Sequence, residues 1–198
     1  MSAATETPGV SDAPVTGGAF IAVVGPSGAG KDSLINYARK ALASRENVFF
    51  VRRVITRPAD GATESHIPVT VEEFERKRQN GDFAFHWDAH GLKYGLPIEI
   101  DSRIRAGNSA VCNGSRAVLE ALSRRYDCFN VVSVTASRQA IAQRLALRGR
   151  ESSEEIHARL ERSANLLDPW PGAITVDNSS TIEHAGGRLV EVIERWAD

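Results

Sequence analysis

The chain has 198 residues, and its 24 Lys and Arg against 25 Asp and Glu give a formal net charge of −1. This balance, without a basic stripe interleaved with aromatic residues, does not favour a nucleic-acid partner. The longest apolar run, residues 19–24, is far shorter than the roughly 20 residues that a membrane-spanning helix needs. All but four of the basic residues are Arg, whose planar fork fits phosphate oxygens, although coding bias would also explain this composition.

The first 18 residues are rich in Ala, Thr, Ser, Gly and Pro and show no periodicity, which predicts a disordered leader. They lack the basic residues and the apolar stretch of a secretory signal, so we expect a cytoplasmic protein. Residues 19–198 are predicted to form a single domain. Cys112 and Cys128 lie in apolar, strand-like surroundings, and we expect both thiols to be reduced and buried.

From residue 19 onward, short apolar runs alternate with segments of helical period. This alternation is typical of an α/β fold with a mainly parallel sheet, here of five strands, between layers of helices. The alternation is lost over about residues 56–95, which indicates a small insertion on the sheet. The predicted strands cover residues 19–24, 48–55, 110–112, 129–134 and 174–176.

Capping-box spacings predict where three helices begin, because a Ser or Thr side chain and a Glu three residues later can each satisfy a free backbone N–H. Gly149 interrupts the helical pattern before the second of these starts. The three predicted caps are Thr70 with Glu73, Ser152 with Glu155, and Ser180 with Glu183.

The strongest motif is Gly-Pro-Ser-Gly-Ala-Gly-Lys at residues 25–31, directly after an apolar strand and before a helical segment. This is the phosphate-loop pattern: glycines let successive backbone N–H groups point inward, and the helix N-terminus adds partial positive charge. We expect Lys31 to bind the β- and γ-phosphates of ATP as a catalytic residue. The predicted nucleotide-binding residues are Gly25, Pro26, Ser27, Gly28, Ala29, Gly30, Lys31, Asp32 and Ser33.

Asp32 stands where most phosphate loops have the Ser or Thr whose hydroxyl ligates Mg²⁺. A carboxylate so close to phosphates would be repulsive without a cation, so Asp32 is interpreted as a magnesium-linked residue. Asp32 could bind Mg²⁺ directly, or Ser33 could take its place as the ligand. The alternative is a solvated acidic residue that the helix dipole favours at this position.

With this loop as its anchor, the chain resembles the guanylate-kinase-like branch of the P-loop kinases. The matching segments are GPSGAGK at 25–31, ITR at 55–57, the stretch 83–95 ending in GLKYG, RL at 144–145, RG at 148–149, and 156–160. The resemblance implies a P-loop kinase-type three-layer fold with an acceptor-binding insertion over about 56–95 and a helical lid over about 144–162.

Within that branch the chain is most similar to the ribose 1,5-bisphosphate phosphokinases of phosphonate catabolism. The narrower resemblance is carried by GKDS at 30–33, TR at 56–57, ESHI at 64–67, WDAHGL at 87–92, EID at 99–101, NGSR at 113–116 and RGRE at 148–151. It implies that ATP, with Mg²⁺, phosphorylates a sugar phosphate to 5-phosphoribosyl 1-diphosphate (PRPP). We expect the protein to be a monomer or homodimer.

Departures from guanylate kinases support the narrower resemblance. The second Arg that holds the acceptor phosphate in those enzymes is replaced by Asp60, and Phe85, Asn113 and Ser115 stand where their guanine-reading carboxylates would be. A pocket without those acceptors would leave buried guanine N–H groups unpaired, which is costly. GMP is therefore an unfavoured acceptor.

Short polar and basic side chains in the insertion and after the third predicted strand suit a sugar phosphate. For each residue taken singly, a structural role is about as plausible as substrate contact. The predicted acceptor-binding residues are Arg57, His66, His90, Tyr94, Asn113, Ser115 and Arg116.

Arginines of the lid region fall on two helical segments separated by Gly149, and we expect them to close over the triphosphate. Arg148 and Arg159 are assigned catalytic roles because the transferring phosphoryl group needs positive charge. The predicted lid arginines are Arg144, Arg148, Arg150 and Arg159.

Two other functions stay open at this point. One is a guanylate kinase or another nucleoside monophosphate kinase with altered acceptor choice. The other is a non-catalytic interaction module of guanylate-kinase-like fold, although this chain retains Gly25, Gly30 and Lys31.

Overall fold

The computed structural model describes residues 4–5, 13–58, 65–148 and 170–197. In chain order, the strands are β1 (Ala4–Thr5), β2 (Phe20–Val24), β3 (Val48–Phe50), β4 (Val54–Ile55), β5 (Ile67–Pro68), β6 (Phe83–Ala89), β7 (Leu92–Pro97), β8 (Ser109–Asn113), β9 (Phe129–Thr135) and β10 (Ile174–Asp177). The helices are α1 (Lys31–Ala41), α2 (Val71–Gln79), α3 (Glu99–Arg105), α4 (Leu119–Arg125), α5 (Arg138–Arg148) and α6 (Ile182–Ala197).

The main sheet has five parallel strands in the order β10-β9-β2-β8-β3, which confirms the predicted α/β fold. Strand β2 lies at its centre, and its side chains alternate between two hydrophobic cores. Phe20 and Ala22 face one core with α3, α4 and the second sheet, whereas Ile21 and Val23 face the other with α1 and α6. Every residue of β2 is buried, as expected for a strand covered on both faces.

The predicted insertion is built on a second sheet, in the order β1-β6-β7-β4-β5, in which most neighbours are antiparallel. Helix α2 covers part of it and buries Phe74 against Phe83, with ring centroids 4.7 Å apart. At the start of α2, Glu73 N–H donates to Thr70 Oγ1 at 3.1 Å and Thr70 N–H donates to Glu73 Oε2 at 2.9 Å. The predicted capping box at Thr70 is therefore confirmed.

Several sequence-based predictions need correction. The single strand predicted over 48–55 is two strands, because the chain leaves the main sheet after Phe50 and enters the second sheet at Val54. The predicted disordered leader does not extend to residue 18. Val15 is 1% exposed and its backbone exchanges hydrogen bonds with Arg125 and Asp127, because this segment packs beside the end of α4.

Two smaller predictions are also wrong. Cys128 is exposed, since it lies just before β9, whereas Cys112 is buried in the core as predicted. Helix α6 begins at Ile182, and it is Thr181 Oγ1, not Ser180, that accepts a hydrogen bond from the backbone of its first turn, from His184 N–H at 3.4 Å. The cap predicted at Ser152 lies outside the described residues. Within the described ranges, no helix has the length and apolar character that crossing a membrane requires.

Candidate active site

The phosphate loop connects the carboxyl end of β2 to the N-terminus of α1, as the motif predicted. Its glycines are required by close contacts as well as by backbone conformation. A Cβ on Gly25, whose φ is 150°, would lie 2.2 Å from the carbonyl oxygen of Val134 on β9. A Cβ on Gly30, whose φ is 89°, would lie 2.4 Å from the side-chain nitrogen of Asn178. The loop therefore fits against the sheet edge only with glycine at these positions.

Lys31, the first residue of α1, folds back over the loop. Its Nζ donates to the carbonyl oxygens of Gly25 at 2.8 Å and of Pro26 at 3.1 Å. The ammonium group is partly buried and lies at the mouth of the loop, within reach of anything that the loop binds. The contact between Lys31 and the phosphates of a nucleotide stays a prediction.

Two side chains from other elements fasten the loop. Asn178, which is 3% exposed and follows β10, donates from Nδ2 to the Ala29 carbonyl at 2.7 Å. Arg144 on α5 donates to the same carbonyl at 3.4 Å and to the Asn178 carbonyl at 2.7 Å. Sequence reasoning missed Asn178, although its position directly after a strand of the parallel sheet was a usable signal. Arg144, predicted to belong to a lid, lies against the phosphate loop.

Asp32 lies in the first turn of α1, where its carboxylate faces the end of β8. Its Oδ1 accepts a hydrogen bond of 2.6 Å from Nδ2 of Asn113, the last residue of that strand. Ser33 follows on the same turn and is partly buried. The structure therefore brings Asp32 and Asn113 together, although sequence reasoning had assigned them to different substrates.

A small cleft, open to solvent, extends from Asp32 along α1 toward the second sheet. Ser65, which precedes β5, closes it on the side of the insertion. None of its arginine side chains was singled out by the sequence analysis. The lining residues are Asp32, Ile35, Asn36, Arg39, Val51, Arg53, Ser65 and Asn113.

Arg39 and Arg53 give this cleft its positive charge. The Arg39 guanidinium donates to Asn36 Oδ1 at 2.5 Å and lies over the Phe50 ring, 5.3 Å from its centroid. Partial burial lowers the pKa of Arg39, and the nearby Arg52 charge lowers it further. Arg53 is 9% exposed and lies 5.3 Å from the centroid of the Tyr94 ring. Both guanidinium groups are held in fixed planes against aromatic rings.

Arg57 and His66, both predicted to bind the acceptor, lie together at the edge of the second sheet. His66 Nε2 is 3.1 Å from the Arg57 carbonyl oxygen, so this nitrogen carries the proton in the neutral ring. The other ring nitrogen, Nδ1, is buried and makes no hydrogen bond within the described part of the chain. Arg52 donates to the His66 carbonyl at 3.1 Å and fixes the backbone there.

The other predicted acceptor-binding residues lie around this region in different settings. Tyr94 on β7 stacks on Trp87 with centroids 5.2 Å apart. His90 is exposed in the tight turn between β6 and β7, where its φ of 53° and the φ of 73° at Gly91 suit a two-residue hairpin. Ser115 and Arg116 begin the short helical turn that follows β8. The position of His90 is thus explained by the hairpin turn. The sequence pattern alone did not distinguish a turn residue from a residue that contacts substrate.

Most of the predicted lid lies outside the described residues. The backbone of α5 includes Arg148, but the Arg148 side chain and all of Arg150 and Arg159 lie outside the described residues. Among the arginines assigned to the lid, only the Arg144 side chain is described, and it contacts Ala29 and Asn178.

Comparisons with known proteins give a consistent result. A ribose 1,5-bisphosphate phosphokinase PhnN from Chelativorans sp. is 45% identical over 190 residues, which cover 93% of this chain and 90% of the relative. The protein of the same name from Agrobacterium fabrum is 42% identical and covers 90% of this chain and 97% of the relative. A bifunctional ribose 1,5-bisphosphokinase-thymidine phosphorylase from Cupriavidus necator is 47% identical, and its match covers 29% of that longer protein.

Among solved structures, guanylate kinase from Anaplasma phagocytophilum superposes with a TM-score of 0.61 at 19% identity, covering 92% of this chain and 87% of that one. At that identity the likeness concerns the fold. No protein-family model matches the chain.

Proposed function

The chain belongs to the ribose 1,5-bisphosphate phosphokinases, and from that premise we propose that it transfers the γ-phosphoryl group of ATP to the 1-phosphate of ribose 1,5-bisphosphate. The products are ADP and PRPP. We place the reaction in cytoplasmic phosphonate catabolism. The relatives of the chain are kinases. The choice of acceptor rests on the 45% identity, over 93% of the chain, to a ribose 1,5-bisphosphate phosphokinase.

The arrangement of the site supports this transfer. The phosphate loop and Lys31 would hold the triphosphate, and the cleft beside Asp32 would hold the acceptor. An oxygen of the 1-phosphate attacks the γ-phosphorus, and the bond from that phosphorus to the oxygen bridging to the β-phosphate breaks. A phosphate oxygen is already anionic at neutral pH, so the step needs no strong general base. Catalysis then consists of positioning and of neutralising negative charge.

Magnesium fits the oxygen donors at this end of the cleft. Mg²⁺ in kinases is bound through one or two protein oxygens together with substrate phosphates and water. Asp32 Oδ1 is held by Asn113 Nδ2, which leaves the second carboxylate oxygen oriented at the start of α1, and the Ser33 hydroxyl follows it. We assign Asp32 or Ser33 to the ion, which when bound neutralises charge on the phosphates.

We assign the acceptor to Arg57, His66, Tyr94, Asn113 and Arg116, and the moving phosphoryl group to Arg148 and Arg159. Asn113 supports this because it lines the cleft and its side-chain amide oxygen can accept a hydrogen bond from a sugar hydroxyl. Phe85, at a position where guanylate kinases carry a base-reading carboxylate, is fully buried in the core and presents no acceptor. Both observations favour a sugar phosphate over GMP.

The experiment is a comparison of acceptors with the purified chain, ATP and Mg²⁺. ADP formation is measured with ribose 1,5-bisphosphate, GMP, dGMP, UMP and gluconate at equal concentrations. We expect turnover with ribose 1,5-bisphosphate to exceed that with every other acceptor by at least about 100-fold, since a site built for one polar pattern rejects ligands that leave its groups unpaired.

A boiled sample and ATP without any acceptor serve as controls, because a contaminating ATPase forms ADP in the absence of an acceptor. Faster turnover with GMP or dGMP would mean a nucleoside monophosphate kinase. No turnover with any acceptor, together with no rise in melting temperature on adding ATP and Mg²⁺, would favour a non-catalytic module.

A further inference from the structure

We infer that Arg39 and Arg53 form the subsite for the 5-phosphate of the acceptor. The assignment rests on the proposed function, because it concerns the end of the acceptor that does not react. Arg39 lies on α1 and Arg53 lies in the connection between β3 and β4. Neither residue belongs to a motif identified in the sequence.

The cleft has two chemically different ends along α1. Asp32 and Asn113 mark the end beside the phosphate loop, where the reacting phosphate must lie. Arg39 lies seven residues further along the same helix, which at a rise of about 1.5 Å per residue is roughly 10 Å away. A pentose with a phosphate at each end spans a similar length, so its second phosphate falls near Arg39 when the first faces the loop.

The charge around Arg39 calls for an anion. Its described contacts are to neutral groups, the Asn36 amide and the Phe50 ring, and within the described part of the chain it forms no salt bridge with a carboxylate. The positive charge of Arg52 lies nearby, and partial burial together with that charge lowers the pKa of Arg39. Two neighbouring guanidinium groups repel each other, and a doubly charged phosphate between the cleft walls would relieve that repulsion.

Arg53, in the connection between β3 and β4, supplies a second guanidinium to the cleft. Its side chain is buried to all but 9% and rests over the Tyr94 ring, so its plane is fixed before a ligand arrives. A preoriented fork binds phosphate oxygens in pairs at little cost in side-chain entropy. Among the described residues that line the cleft, Asp32 is the only carboxylate, and it lies at the other end, hydrogen-bonded to Asn113. A non-reacting phosphate is therefore drawn to the arginine end.

The test measures binding by calorimetry, without ATP, for two half-ligands of the acceptor. Ribose 5-phosphate carries only the phosphate that Arg39 is proposed to bind, and ribose 1-phosphate carries only the other. We expect Arg39→Gln to weaken the binding of ribose 5-phosphate by about 10-fold or more, the usual effect of losing a charge-assisted contact. The same variant should change the affinity for ribose 1-phosphate by less than about twofold. Arg39→Lys should restore part of the loss.

Lys40→Gln is the matched control, since it removes one positive charge from the neighbouring, exposed position of the same helix and should leave both affinities unchanged. Because Arg53 is almost fully buried, Arg53→Lys is the variant for that position: it keeps the charge and removes the fork, and it should weaken ribose 5-phosphate selectively. Thermal melting of each variant checks that it is folded.

Equal weakening of both half-ligands by Arg39→Gln, no weakening of either, or no binding of ribose 5-phosphate by the wild type would overturn the subsite. These outcomes are separable from failure of the proposed function. A wild type that binds ribose 5-phosphate through Arg39 but does not phosphorylate ribose 1,5-bisphosphate would refute the reaction and leave the subsite. An active enzyme whose Arg39→Gln variant keeps full affinity for ribose 5-phosphate would refute the subsite alone.

Discussion

Lys31 is held in place by the loop that it serves. Its ammonium group donates to two carbonyl oxygens of that loop, those of Gly25 and Pro26. Carbonyl oxygens are weaker partners for an ammonium ion than phosphate oxygens, so these two contacts can be exchanged for contacts with the triphosphate. The contacts seen here keep Lys31 close to its proposed ligand and add little to the stability of the fold.

Lys31→Ala should therefore lower kcat by at least about 1000-fold, which corresponds to about 4 kcal/mol of transition-state stabilisation. The melting temperature should change little, because the side chain is only partly buried. Steady-state kinetics and thermal melting measure the two effects. Lys40→Ala, at an exposed position of the same helix, is the control. Turnover of the Lys31→Ala variant close to that of the wild type would contradict the assigned role.

The sequence indicated some residues of the site better than others, for physical reasons. The loop glycines and Lys31 are recognisable because a phosphate loop needs those residue types in that order. Asn178 and Arg53 are not, because an amide or a guanidinium becomes part of a site only through its neighbours in the fold. His90 shows the converse: a polar residue in a plausible segment is exposed in a hairpin turn.

Among the elements, α3 and α4 are joined by a buried polar cluster. Asp101 on α3 is 2% exposed, forms a salt bridge with Arg125, and accepts a hydrogen bond of 3.0 Å from the Tyr126 hydroxyl. Burial raises the pKa of Tyr126, and the Asp101 charge raises it further, so the phenol stays protonated and donates. Tyr126 also stacks on Phe20 of the central strand, with centroids 4.4 Å apart. The cluster thus connects both helices to the main sheet.

Asp101→Asn should lower the free energy of unfolding by about 3 kcal/mol, because it leaves the Arg125 charge buried without its counterion. Urea denaturation measures this loss. Asp82→Asn is the matched control: Asp82 pairs with Lys77 at 3.5 Å with both side chains more than a third exposed, so its replacement should cost less than about 1 kcal/mol. Equal effects of the two substitutions would mean that the cluster does not stabilise the packing of these helices.

Among the elements, the sequence predicted the buried parallel strands well, because a strand covered on both faces appears in the sequence as a short, continuous apolar run. It could not predict that the apolar run over residues 48–55 divides between two sheets. The division is caused by long-range pairing: β3 pairs with β8, whereas β4 pairs with β7. The start of α6 was misplaced by one residue because two hydroxyl residues stand side by side there, at positions 180 and 181.

In the molecule as a whole, the residues of the proposed site lie at one edge of the main sheet. The phosphate loop follows β2, Asn113 ends β8 and Asn178 follows β10. The carboxyl ends of these parallel strands therefore bring together the loop, the hydrogen-bond partner of Asp32, and the side chain that holds the loop at Ala29. The second sheet then closes the cleft from the side. The net charge of −1 belongs to the whole chain, whereas the described lining of the cleft carries two arginines against one carboxylate.

The central claim is that the 1-phosphate of ribose 1,5-bisphosphate receives the phosphoryl group. Phosphorus NMR of the reaction with ATP and Mg²⁺ tests it most directly, because a diphosphate and a monophosphate ester give distinct signals. The account predicts a new diphosphate on carbon 1, an unchanged 5-phosphate signal, and one ADP formed for each acceptor consumed. A product with both sugar monophosphates intact, or ADP formation without any new diphosphate on the sugar, would contradict it.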